Sequence, residues 1–583
     1  MSLNQSNLSD PKYGYDFVVA TTQQSINAAM KEYFYNMSPS MTRIYWNQDA
    51  SGNPVRIEYD DLMKQTNNTD PLKVPSWKIG ETQTPDIMNL NLPGCSFFFA
   101  MEAAIGIPAG LSPSDIPDIL TFTDDNKQIV FNLLCSEFKI VDCEFTRRGL
   151  ASLTNVSQPD DKPWIFSFAV NLKDIYDIAS FPDAVKKQLD SLGWSDFSVQ
   201  ALALDLDTAA SHSTPEIDGV PSSSDAYREI AKVFTGAYFD EIKSQGSPVL
   251  NYTILKNAAA PPRPTLTLSG MAIEINPYSP SAGKPANNNL STINYLCSTN
   301  GKQPDPVKFD WNWLEEEDVS KFDGVISIRK GDFINYLSGI FNSELGDLNL
   351  VPAFSVRHEG QVLYTNWTES KGDGAGLSFA LPDPLKPNPL SADGYARVLT
   401  FSKSNKSNDS AKTDLGIFSA KGSFDYDVDV DVWVKENIIK IITHSVVKID
   451  YHESGTIVGD TIDITSNCVD LTGAVLYTLS IKEDGTLTVT ETRDPLVDNS
   501  QSIEATAFEK QSIQPFQAVL NKLKSSLNDT VRKSMIGFDD HIAALLNGYR
   551  AWIFPGGKTF AFKDVKFSDN QDLTSKITYL AIS

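Results

Sequence analysis

Cysteine is scarce in this chain: Cys95, Cys135, Cys143, Cys297 and Cys468 are the only five in 583 residues. None lies in a CxxC spacing and the number is odd, so neither a disulfide framework nor a thiolate zinc site is expected. Histidine is as sparse. His212, His358, His444, His452 and His541 form no HExxH and no close pair with cysteine, so no metal is expected from them. Positive charge is short too: 49 Lys and Arg stand against 74 Asp and Glu, a formal net charge of −25. Such a field repels phosphate backbones, which disfavours nucleic-acid binding over a broad surface, and it opposes long-range attraction to anionic membranes. No apolar run reaches the roughly 20 residues of a membrane-spanning helix. The most apolar stretch, residues 95–108, is short and contains Glu102. Residues 1–11 show no basic segment followed by an apolar core, so no secretory signal is read; a cytoplasmic location, or release by a non-classical route, is expected. GxSxG, P-loop and GxGxxG motifs are absent, so neither a catalytic residue nor a cofactor is expected.

What the chain does have is an ordinary soluble composition, 41% hydrophobic and 21% charged, and a length that requires more than one core. It also has a pattern that occurs twice. Asp16 precedes Val18 and Val19, and a helix then presents Ile26, Ala29, Met30, Tyr33 and Phe34. Asp323 precedes Val325 and Ile326, and a helix then presents Phe333, Tyr336, Leu337, Ile340 and Phe341. Counted from each Asp, both stripes follow i, i+3, i+4, i+7, i+8, one face of a helix. We read an internal duplication. A second striped helix follows in each half: Tyr227, Ile230, Phe234, Tyr238 and Ile242 in one, Phe516, Leu520, Leu523, Leu527 and Val531 in the other. Thr21 with Gln24 suits a capping box for the first helix, Asp332 suits the N-cap of its counterpart, and Pro515 suits a first helical turn.

Between the helices the signals are mostly β. Residues 42–46 and 55–59, joined by Asp49, Gly52 and Asn53, read as a hairpin. Residues 97–110 fit either a strand or a buried helix. Strands are expected at 129–134, 138–145, 164–170, 197–206, 249–255 and 266–275. Residues 279–306, rich in Ser, Asn, Pro and Gly, read as a boundary or long surface loop. Beyond them come a hairpin at 351–367 and then the strongest β signal. Phe424, Tyr426, Val428, Val430, Val432 and Val434 alternate with Asp425, Asp427, Asp429, Asp431 and Trp433, a period of two with one buried and one wet face. Residues 438–451, 456–464, 474–481 and 486–490 continue a meander. Helices over 515–532 and 542–549 and strands at 559–567 and 576–582 close the chain.

Helical stripes surrounded by meander must bury themselves on a sheet, and a long twisted sheet can curl around a helix. The expected fold class is α+β, with two elongated units at residues 1–305 and 306–583. A gap between such a helix and its sheet would be an apolar tunnel suited to an acyl chain.

The opening Gly14-Tyr15-Asp16, with Val18, Ala20 and Asn27, resembles the start of the OrfX-type proteins of clostridial toxin clusters, members of the tubular lipid-binding (TULIP) superfamily. Tyr15 stands where that family usually has Trp. The closing Phe554-Pro555-Gly556-Gly557, with Phe560, Phe562 and Phe567, is similar to the family's final strand pair. The resemblance spans about the first 30 and last 40 residues. It implies TULIP-like units, lipid or phosphoinositide binding, an accessory role around toxins or virulence factors, and no catalysis.

The candidate ligand-binding residues are the apolar helix faces: Ile26, Met30, Tyr33, Phe34, Phe234, Tyr238, Phe333, Leu337, Phe341, Phe516, Leu520 and Leu523. Two readings of them stand, a lined tunnel for lipid or another hydrophobic small molecule, and a filled core in a protein that instead binds a toxin component as a scaffold. The aspartate series with Glu436 matches EF-hand offsets, but Val430 stands where that loop needs Gly. Extended carboxylates roughly 6.5–7 Å apart cannot wrap one ion; a solvated face that blunts edge pairing is expected instead. Arg147 and Arg148 beside Phe145 suit a surface turn or a phosphate headgroup.

Overall fold

The computed structural model describes residues 2–36, 41–108, 110–112, 114–123, 128–175, 197–217, 220–244, 249–256, 270–280, 285, 287–299, 304–344, 348–372, 389–455, 461–503, 507–533, 540, 542–543 and 558–581. The architecture is mostly antiparallel sheet with few helices. At its centre is a six-stranded sheet in the order Gly270–Asn276, Thr292–Ser298, Phe17–Thr22, Gly324–Ile328, Leu573–Ala581, Lys558–Phe567. Strands from both halves of the sequence thus share one sheet. Every residue of Phe17–Thr22, Thr292–Ser298 and Gly324–Ile328 is buried. The reason is a core on each face: Phe17, Val19, Tyr295, Cys297, Ile326 and Ile328 join the main apolar cluster, while Val18, Ala20, Leu296 and Val325 join a second cluster around Tyr13, Phe309, Trp311 and Trp313. Two-sided burial explains why these strands lack the usual alternation.

The strand Thr292–Ser298 corrects the loop expected over residues 279–306. Its flanks carry the turn-forming residues that suggested a loop, yet Thr292–Ser298 pairs with Phe17–Thr22 in full register, from Phe17 opposite Cys297 to Thr22 opposite Thr292. Phe17–Thr22 also pairs with Gly324–Ile328, placing Val19 opposite Ile326 and Ala20 opposite Val325. Gly324 is required there, because a Cβ at that position would collide with the carbonyl oxygen of Ala20.

In the first half, a second six-stranded sheet runs Pro54–Ile57, Met41–Gln48, Phe97–Ile105, Cys135–Thr146, Gly149–Ser157, Trp77–Lys78, and a five-stranded sheet runs Val249–Lys256, Phe197–Ser213, Phe166–Ile175, Gln128–Leu133, Leu120–Phe122. The apolar stretch from Phe97, ambiguous between strand and helix in the sequence, is therefore a strand over Phe97–Ile105. The 42–59 hairpin forms, with the Asp49 carboxylate accepting from the Ser51 and Asn53 backbone at 2.8 Å each, but Tyr59 opens a short helix, Tyr59–Gln65, instead of extending the strand.

In the second half the acidic alternating segment becomes the strand Phe418–Lys435, inside a long sheet ordered Ala396–Lys412, Phe418–Lys435, Ile438–Gly455, Thr461–Ile481, Leu487–Arg493, with Val497–Asp498 on a side branch. Thr461–Ile481 is 21 residues long, roughly 70 Å at about 3.3 Å per residue; it joins the described part of the strand expected at 456–464 to the one expected at 474–481, residues 456–460 lying outside the described residues. Phe424 to Val434 are buried at every second position, as the alternation requires. The aspartates do not protect an edge, because their strand is paired on both sides. They meet cross-strand partners instead: Asp425 lies 3.5 Å from Lys406, Asp431 3.5 Å from Arg397, and Asp429 accepts from Ser402 at 2.5 Å. Among the described residues no group of three or more His, Cys, Asp and Glu could hold a metal ion.

Candidate functional site: the apolar helix–sheet interfaces

The first helix is Gln23–Asn36. Its cap is one residue later than expected: Thr22, not Thr21, has the side chain that accepts the Ser25 N–H, at 3.2 Å. Ile26, Met30 and Phe34 are buried in the main apolar cluster; the side chain of Tyr33 lies outside the described residues. A second, polar row was not legible in the sequence. Phe122 N–H donates to the Gln23 side chain at 2.7 Å. The Asn27 amide donates to Leu120 O at 2.7 Å and accepts Leu120 N–H at 2.8 Å, and Lys31 donates to Ile116 O at 2.7 Å. Spaced i, i+4, i+8, these side chains follow one segment: Gln23 and Asn27 stand in for a neighbouring strand at the edge of Leu120–Phe122, and Lys31 holds the chain leading into it.

The second helix is Asp225–Ser244. Phe234 packs against Phe138 and Phe166, with ring centroids 4.7 and 5.3 Å apart, so this stripe bridges the two sheets of the first half. Tyr238 is buried beside it, and its hydroxyl donates to Leu134 O at 3.1 Å and accepts Leu134 N–H at 3.2 Å. Leu134 sits between two strands, Gln128–Leu133 and Cys135–Thr146, and its carbonyl also accepts the Gly106 N–H at 3.2 Å.

In the counterpart helix, Lys330–Glu344, Phe333 and Leu337 are buried, and Phe333 lies 5.6 Å from Phe567. The side chain of Phe341 lies outside the described residues. Asp332 is inside the first turn, not at the cap, and its carboxylate takes the Arg329 Nε at 2.6 Å.

The final striped helix, Ala507–Lys533, has 27 residues and is about 40 Å long. It starts before Pro515, which sits inside it, so the carbonyl of Gln511 lacks its usual helical donor. Most of the helix expected over 542–549 lies outside the described residues; Ile542 is fully buried. Phe516, Leu520, Leu523 and Leu527 are buried, and Phe516 fits between Trp367 and Phe424, 4.6 and 5.7 Å away. Trp367 belongs to the hairpin Leu350–Glu359 and Val362–Lys371. This hairpin closes over the long sheet through side-chain bonds: Phe354 N–H to Ser407 Oγ at 2.9 Å, Val356 N–H to Asp409 Oδ2 at 2.8 Å, and Asn405 Nδ2 to Leu350 O at 2.6 Å. Gly422 leaves room for Phe354, whose ring would lie 2.9 Å from a Cβ there. Helix, hairpin and long sheet thus enclose one apolar interior.

The described candidate side chains Ile26, Met30, Phe34, Phe234, Tyr238, Phe333, Leu337, Phe516, Leu520 and Leu523 fall in a single continuous apolar cluster. Polar clefts lie elsewhere, one of about 480 Å³ lined by Asn408, Asp409, Lys421, Ser423 and Asp450, and one of about 170 Å³ beside Asn276, Trp311 and Asn312. No helix among the described residues is long and apolar enough to cross a membrane.

No protein-family model and no curated protein matches the chain. Among solved structures it is similar to P47 of Clostridium botulinum E1, with 9% identity and a TM-score of 0.43 over 97% of this chain and 100% of that one. P47 from Clostridium botulinum A2 follows at 9% identity and a TM-score of 0.39, over 97% and 98%. A lipopolysaccharide binding protein aligns at 8% identity and a TM-score of 0.27, over 98% and 99%. Identities and scores this low leave the functional reading to the chain's own residues.

Proposed function

We propose that the chain is a non-catalytic binder of a lipid or another elongated hydrophobic molecule, built as two related units at residues 1–305 and 306–583. One observation carries the reading: the apolar helix face Phe516, Leu520, Leu523 and Leu527, roughly 17 Å long, is buried under the hairpin and against the long sheet. An extended acyl chain in that interface would gain roughly 0.8 kcal/mol for each CH₂ removed from water. Since the stripe is packed, the ligand would enter as the helix lifts from the sheet, trading Leu520 and Leu523 contacts for its own. The strand order of the central sheet supports two related units. On either side of the Phe17–Thr22 and Gly324–Ile328 pair comes the last strand of one half, then its penultimate strand.

Lipid extraction of the purified chain followed by mass spectrometry tests this. Co-purifying acyl lipid, reduced by Leu523→Trp, is the expected result. A second reading, a protein-binding accessory component of a toxin or virulence complex with a dry core, is favoured by the burial of Phe516 and Leu527. It is preferred if no lipid is extracted and no fatty-acid probe binds.

A further inference from the structure

The strands Cys135–Thr146 and Gly149–Ser157 meet in a tight turn whose two central residues are Arg147 and Arg148. Thr146 is opposite Gly149, and the Arg148 N–H donates to Thr146 Oγ1 at 3.3 Å. Gly149 has φ +106°, and a Cβ on it would sit 2.8 Å from Asn91 Oδ1, which accepts the Leu150 N–H at 3.1 Å. That contact brings the tail of the helix Pro85–Leu90 and the following Leu92 up to the arginine turn. From the other side, the Ile79 N–H donates to Ala151 O at 2.7 Å. Three separate turns thus converge at one end of the sheet.

Four large hydrophobic side chains are presented together there. Ile79 is 66% exposed, Met88 52%, Phe145 40% and Leu92 38%. Arg147, Arg148 and Lys78 are exposed around them, and none has an ion-pair partner among the described residues. The nearby acids are turned back onto their own backbone or strand. Glu81 Oε2 accepts the Lys78 N–H at 3.1 Å, and Glu144 accepts from Ser152 Oγ at 2.9 Å; Asp86 lies at the opposite end of its helix from Leu92.

We propose that this tip docks on the surface of a phospholipid bilayer, with Phe145 and Ile79 inserted at the headgroup boundary and Arg147 and Arg148 on lipid phosphates. The shape and chemistry select that partner. The apolar groups form protruding turns, not a groove that could receive a peptide, and the exposed guanidiniums beside them suit an anionic acceptor at the edge of an apolar layer. The net charge of −25 opposes approach to an anionic surface at long range, so docking depends on short-range insertion and survives added salt. This surface is separate from the helix–sheet interior, and the lipid-carrying reading can fail without it.

Sedimentation of the full chain with vesicles of phosphatidylcholine and a minority of phosphatidylserine tests the proposal. The wild type is expected to sediment in low and high salt. The exposed double variant Ile79→Ser with Phe145→Ser should lose at least about tenfold in vesicle affinity, and Arg147→Gln with Arg148→Gln should lose less. Phe145→Trp should gain tryptophan emission that brominated phosphatidylcholine quenches, while free inorganic phosphate should leave vesicle binding unchanged. Equal sedimentation of wild type and both double variants, or no quenching of Trp emission, overturns it. So does a self-association that the Ser variant abolishes while vesicles have no effect, which would assign the tip to a second copy of this chain. Lipid extracted from the same variants reports on the interior independently.

Discussion

Arg329 reaches from one occurrence of the repeated pattern to Asp16 of the other, its Nη2 2.6 Å from Asp16 Oδ1, with the Asp16 side chain only 1% exposed. The backbone repeats the exchange. Arg329 N–H donates to Asp16 O at 2.9 Å, and Thr22 N–H donates to Asp323 O at 3.0 Å. Each opening aspartate therefore holds the far end of the other's strand. Thr299 completes the Asp16 site with its N–H at 2.6 Å and its hydroxyl at 2.7 Å.

Removing one partner of this pair strands the other. Arg329→Met should destabilise the chain by about 3–5 kcal/mol, because a buried carboxylate loses its counter-charge. The cycle with Asp16→Ala should return a coupling of about 1–3 kcal/mol, read from urea midpoints. Additive losses would mean the pair is incidental.

Stability should rise on mild acidification. Burial pushes the Asp572 carboxyl up to about 6, the Asp142 carboxyl up to about 6 and the Glu274 carboxyl up to about 7, against about 4 in an unfolded chain. Between those limits the folded state binds protons that the unfolded state does not, so ΔG of unfolding increases as pH falls from about 7 towards about 4. Thermal melts at pH 5.5 and 7.5, taken as roughly spanning that window, should show the higher Tm at the lower pH. Glu274→Gln, which keeps a partner for Asn294, should shrink the difference.

Gly324→Ala should be severe, about 3 kcal/mol or more, since the added methyl meets the Ala20 carbonyl with no flexible side chain to yield. Gly331, with open space around its Cβ position, is the control and should cost about 1 kcal/mol or less, or stabilise the helix.

Asn27→Leu removes both bonds to Leu120 and leaves a buried N–H and C=O unmet. A loss of about 2–4 kcal/mol is expected, with faster hydrogen exchange at Leu120 and Phe122 than in the rest of the sheet.

The parts of the fold that were legible in the sequence are those where one face is wet. Phe424 to Val434 alternate because water touches every second residue, and the stripes of Ile26 and Phe333 repeat because each helix keeps some positions in water, Ala28, Glu32 and Tyr35 in the first and Asn335 and Gly339 in the second. Ala396–Lys412 was invisible for the opposite reason. Its inward positions include Asn405, Ser407 and Asp409, which are polar because they bond the hairpin backbone. Thr292–Ser298 was hidden by its turn-rich flanks, and the row Gln23, Asn27 and Lys31 by its resemblance to an ordinary wet helix face. The tip was half legible: Arg147 and Arg148 beside Phe145 were conspicuous, but Ile79 and Leu92 come from distant segments that only the fold brings together.

The braided order of the central sheet bears on how the chain is made. Phe17–Thr22 leaves the ribosome long before Thr292–Ser298 and Gly324–Ile328 exist to flank it. During translation its Val18-Val19-Ala20 segment must be kept from foreign strands, and assembly of the middle layer waits on the C-terminal Leu573–Ala581. A nascent chain stalled before residue 573 should therefore be a strong chaperone client, its two outer regions shaped but not yet stitched together.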